Sequence, residues 1–82
     1  MNSVNYLFTA GKRRYGSLTW TPAVGPARCF RVWRIHSGNR DRLILAAGPA
    51  KDEQEARAKI EAAITQDAGA QPELTNTHLE KK

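Results

Sequence analysis

"GPAKDEQEARAKIEAAITQDAG", residues 48–69, decides the fold class. Asp52 followed by Glu55 forms a capping pair: the aspartate accepts from early helix amides, and the glutamate reaches back. Glu53 and Glu55 also suit the positive end of a helix dipole. Ala56, Ile60, Ala63 and Ile64 recur at helical spacing and share one apolar face. Gly69 can take the left-handed conformation that ends a helix. The stripe is narrow and built from small residues, so this helix should lie close against the layer it covers. The opposite face is charged, and the spacing predicts i,i+4 pairs of Glu53 with Arg57 and of Glu55 with Lys59.

Upstream, the periodicity changes to two. In "VNYLFTA" (4–10), Val4, Tyr6 and Phe8 fall on one face, with Asn5, Leu7 and Thr9 on the other. "GKRRYG" (11–16) reads as a turn. "SLTWT" (17–21) alternates as a half-buried strand, with Leu18 and Trp20 expected on the core side. "PAVGPA" (22–27) is a loop by its prolines and glycine. "RCFRVWRIH" (28–36) is the longest strand. Its odd face, Cys29, Arg31, Trp33 and Ile35, is the more apolar and is expected to face the core, with the stem of Arg31 lying over the core edge. Its even face holds Arg28, Phe30, Val32, Arg34 and His36. "SGNRD" (37–41) has hairpin-turn composition, and "RLILAA" (42–47) returns as a strand that Gly48 and Pro49 should end.

The expected architecture is α+β: a small antiparallel sheet of three to four strands with one C-terminal amphipathic helix packed on one face. Residues 1–69 form the domain. Residues 70–82, "AQPELTNTHLEKK", read as a loose polar tail.

Composition narrows the function classes. The apolar fraction of 40% supports a modest core and argues against a fully disordered chain. No run approaches the roughly 20 apolar residues that span a bilayer. "MNSVNYLFTAGKRR" places no charged segment before its short apolar run, unlike a secretory leader. Cys29 is the single cysteine, so an internal disulfide framework is impossible and a reducing, cytoplasmic setting is the plain expectation.

No recognised catalytic set is present. Cys29 sits mid-strand beside Phe30, the place of an inert thiol. Cys29 and His36 fall on opposite faces of one strand, and His78 lies in the tail. One cysteine and two histidines offer no zinc-type spacing, and the chain has no Walker loop or dinucleotide fingerprint. The expectation is a non-enzymatic protein with no cofactor and no metal.

Charge is the strongest functional signal. The net charge is +5. Residues 1–42 hold eight basic side chains against one acid, a net +7, while residues 43–82 hold five bases against seven acids, a net −2. Seven of the eight bases in the first half are arginine, whose planar fork suits phosphate or carboxylate. The candidate contact residues are Lys12, Arg13, Arg14, Tyr15, Arg28, Arg34, Arg40 and Arg42, spread over two turns and the strand between them. Trp33 and Phe30 are further aromatic candidates, though each reads more readily as core.

Two partner classes fit. Nucleic acid, DNA or RNA, comes first, because cations meet phosphates and a small sheet can enter a major groove. In layout alone, a small sheet followed by one helix is similar to AP2-type and phage-integrase arm-binding modules, and that similarity implies DNA contact through the sheet. The alternative is a small accessory or inhibitor protein of phage or mobile-element type, binding an acidic protein surface through its sheet face or edge. A free edge also allows a homodimer.

Overall fold

The computed structural model describes residues 2–25, 27–35 and 42–81. Five strands and one helix follow in the order β1 (Asn2–Ala10), β2 (Arg13–Trp20), β3 (Arg28–Ile35), β4 (Arg42–Ala50), α1 (Glu53–Ala68) and β5 (Glu73–Lys81). The strands form one sheet in the order β4-β3-β2-β1-β5, antiparallel throughout. The α+β architecture expected from periodicity is present, with five strands rather than three to four.

The fifth strand comes from the stretch that reads as a tail. β5 pairs with β1 from Asn2↔Lys81 to Thr9↔Glu73, with a bulge at Leu7/Phe8 where Thr75 Oγ1 donates to the Leu7 carbonyl. An edge strand needs ladder partners more than an apolar face, so its polar sequence hides it. β4 likewise runs on through Gly48 and Pro49 to Ala50. It is the opposite edge strand, and an edge tolerates a residue that cannot donate. The turn at residues 11–16 is shorter than its composition suggests: only Gly11 and Lys12 form it, with Gly11 at φ 64°, and Arg13 and Arg14 already belong to β2. The "SGNRD" turn lies outside the described residues.

The helix forms where its caps predict. Asp52 accepts from the Glu55 amide at 2.8 Å, and Gly69, at φ 69°, donates back to the Thr65 carbonyl. Glu55 completes the box one residue early, accepting from the Lys51 amide at 3.2 Å. Ala56, Ile60 and Ile64 are fully buried, and Ala63 packs beside them.

The helix covers one sheet face, and it is not the face that apolar content suggests. Beneath it lie Tyr6 and Phe8 of β1, Tyr15, Ser17 and Thr19 of β2, and Phe30 and Val32 of β3. The even face of β3 is therefore the core face, and Cys29, Arg31, Trp33 and Ile35 point away from the helix. Leu18 and Trp20 also point away, each half-buried. Trp33 nonetheless becomes buried, with its indole packed directly against Gly16: a Cβ there would sit 2.6–2.8 Å from three ring atoms. Among the described residues no helix is long and apolar enough to cross a membrane.

Candidate functional site

Two ionic clusters tie the helix to the sheet. At the helix start, Glu53 accepts from Arg28 Nε at 2.6 Å, from Thr19 Oγ1 at 2.9 Å and from the Tyr6 hydroxyl. Arg28 also donates to Thr19 and Thr21, at 3.0 and 2.7 Å. At the helix end, Asp67 accepts from the Tyr15 hydroxyl at 2.7 Å and lies 3.3 Å from Arg34 and 3.5 Å from Arg13. Arg13 donates in addition to the Asp67 backbone carbonyl at 2.9 Å. An acid in the last turn opposes the helix dipole, and the last turn holds no base of its own. The sheet supplies the missing cations.

These clusters set the local electrostatics. Burial, reinforced by the hydrogen bond to Glu53, pushes the Tyr6 phenol up to about 12. Burial and the bond to Asp67 raise Tyr15 as well. The Tyr15 hydrogen bond, with the Arg34 and Arg13 charges behind it, holds the Asp67 carboxyl below the ordinary aspartate value. Glu53 thus pairs with Arg28 across the layers rather than with Arg57. Arg57 instead meets Glu61 and lies 5.3 Å from the Tyr6 ring, while the expected Glu55–Lys59 pair is present at 3.3 Å.

The eight sequence candidates therefore do not form one surface. Arg13, Arg28 and Arg34 face the helix and hold its carboxylates. Tyr15 is wholly buried under it and presents no ring to a ligand. Lys12 is exposed at the β1–β2 turn, and Arg14 is exposed on the helix-free face. Arg40 lies outside the described residues, and the backbone of Arg42 pairs with Ile35 at the start of β4.

The helix-free face holds the other half of the pattern. Among the described side chains, its cations are Arg14 on β2 and Arg31 on β3. Arg31 was absent from the candidate set because its face was expected to be core. Its guanidinium lies 5.9 Å from the Trp20 ring centroid, a cation–π pair. Beside that pair opens a shallow, mostly apolar depression of about 510 Å³, floored by Cys29, Gly48 and Pro49. A smaller one, about 190 Å³, lies between Arg14, Leu7, Ile35 and Thr75 at the turn end. Leu7 and Ile44 are 41% and 50% exposed, so large apolar side chains remain uncovered. Glu73, paired with Thr9 at the β5 edge, is an acid at the margin of this face. No group of three metal-ligating side chains occurs among the described residues.

No protein-family model matches the chain, and comparison with curated proteins and with solved structures gives no significant match.

Proposed function

We propose that this protein is a non-enzymatic binding module that takes nucleic acid on the helix-free face of its sheet. The observation behind this reading is how the sheet's arginines divide. Arg13, Arg28 and Arg34 are engaged by helix carboxylates, Arg28 by Glu53 and the other two by Asp67, which they share. Arg14 and Arg31 have no carboxylate partner among the described residues and share the opposite face with Trp20. Lys12 adds a third exposed cation at the turn. Cations so placed neutralise phosphates and release counterions, and an indole beside them offers a stacking surface.

Neighbouring residues supply the test. Arg13 and Arg14 are adjacent in sequence and point to opposite faces. Binding of labelled DNA and RNA oligonucleotides, titrated with salt, should fall log-linearly with a slope of about −2 to −3 for three neutralised phosphates. Arg14→Ala should flatten that slope by about 0.7–0.9, and Arg13→Ala should leave it unchanged. Absence of binding at low salt, or equal effects of the two substitutions, contradicts the reading.

The exposed Leu7 and Ile44 favour a second reading, a protein partner on the same face. Trp and Arg amid apolar side chains are the residue types of interface hot spots. A stoichiometric partner that survives nuclease treatment, together with no oligonucleotide binding, supports it instead.

A further inference from the structure

Building on the nucleic-acid reading, we infer that the ligand of the helix-free face is a single strand rather than a duplex. The sheet is too wide for a duplex groove. Five strands at ~4.8 Å spacing make a face ~19 Å across. The B-DNA major groove is only ~12 Å wide and admits a helix or a two-stranded ribbon. A sheet this broad, backed by α1, cannot seat its face in the groove.

The chemistry of the surface also favours a single strand. Trp33 packs directly against Gly16 on this face. Trp20 is more exposed, with the Arg31 guanidinium 5.9 Å from its ring and the depression of about 510 Å³ alongside. An unstacked base fits that arrangement: the indole offers a π-face and the guanidinium a phosphate partner. A duplex keeps its bases stacked inside and gives Trp20 nothing to hold. The second cation, Arg14, pairs with Ile35, four residues beyond Arg31 on β3 and so ~13 Å along the strands. A strand laid along β3 from Arg31 to Arg14 meets a cation at each end and passes over Trp33 between them. The smaller depression beside Arg14 lies at the far end of this track.

Tryptophan fluorescence reads the contact directly, because Trp20 and Trp33 are the only two tryptophans and both serve this face. The intact chain is titrated with a non-self-complementary single strand of about 12 nucleotides, and with the duplex of the same sequence at the same salt. The single strand should bind about tenfold more tightly and quench the indole emission. Trp20→Leu should weaken single-strand binding about tenfold, as loss of one stacked base does. Arg31→Ala should flatten the salt slope by about 0.7, and it keeps the test valid if the Trp20 variant fails to fold. Duplex binding as tight as single-strand binding overturns this inference while leaving the nucleic-acid reading intact. Single-strand binding indifferent to both substitutions also overturns it. Absence of binding to either form overturns the nucleic-acid reading itself.

Discussion

Arg28 Nε lies 2.6 Å from Glu53 Oε1, joining the first residue of β3 to the first residue of the helix. Arg34 and Asp67 repeat the contact near the other ends of the same two elements. The spacings match. The fourteen residue steps from Glu53 to Asp67 rise ~21 Å along the helix, and the six steps from Arg28 to Arg34 extend ~20 Å along the strand. The helix therefore runs roughly along β3, held at both ends. Arg13, Arg28 and Arg34 of the basic first half serve this intramolecular contact, while Arg14 and Arg31 lie on the opposite face.

Loss of the Glu53 carboxylate should destabilise the fold more than loss of any surface ion pair. Glu53→Ala leaves a largely buried Arg28 without its charge partner and frees the Tyr6 and Thr19 hydroxyls. The expected cost is about 2 kcal/mol in urea unfolding, against less than about 1 kcal/mol for Glu61→Ala on the exposed Arg57 pair. A double-mutant cycle of Arg28 and Glu53 should give a coupling of about 1–2 kcal/mol. Coupling near zero would show that the contact does not pin the helix.

Asp67 makes stability depend on acid pH. Its folded value lies below the ordinary 3.8, so its contribution is fully present above 3.8 and is lost as pH falls through the lower folded value. Urea midpoints measured across that range should drop in the parent protein. Asp67→Asn should start lower at neutral pH and show a shallower acid loss. Parallel pH profiles for the two proteins would contradict the assignment.

The two tyrosines report the same clusters from the alkaline side. Tyr6 and Tyr15 are the only tyrosines in the chain. Both are raised, Tyr6 to about 12, so their contribution is present below pH 10 and is lost as pH rises through the folded values. A spectrophotometric titration should show less tyrosinate at pH 10 than two free phenols would give, with Tyr6 ionising only near pH 12 and unfolding accompanying ionisation. A phenol that titrates at its ordinary value in the folded protein would contradict its burial against the helix.

Gly16→Ala should disturb the helix-free face specifically. The new Cβ would fall 2.6–2.8 Å from the Trp33 ring, so the indole must move. A cost of about 1–3 kcal/mol is expected, with a red shift in tryptophan emission as the ring gains water. An unchanged spectrum and stability would mean that the ring does not lie over the glycine.

The helix was legible because its signals are local: Glu55, Ala56, Ile60 and Ile64 lie within it, and Asp52 and Gly69 cap its two ends. The strands of the first half were legible by alternation, but their orientation was not. Both faces of β3 carry aromatic, aliphatic and arginine side chains, so apolar content alone chose wrongly. In β2, Leu18 and Trp20 resemble core residues, yet Ser17 and Thr19 lie under the helix. They are small enough for its close approach, and Thr19 hydrogen-bonds Glu53. One overlooked signal was present. Glu53 and Asp67 sit seven residues before and after Ile60, on the same stripe as the buried positions, which places two acids against the sheet. Their arginine partners are 25 and 33 residues away, beyond the reach of any local pattern. β5 offered no hydrophobic signal, because its order comes from pairing with β1.

Backbone amide shifts on addition of a single-stranded oligonucleotide show which face of the sheet meets the ligand. Shifts should cluster at Arg14, Leu18, Trp20, Arg31 and Ile35 on the helix-free face, while Ala56, Ile60, Ile64 and the Arg28–Glu53 contact stay unperturbed. Shifts concentrated on α1 and its ion pairs, or none at saturating oligonucleotide, would contradict it.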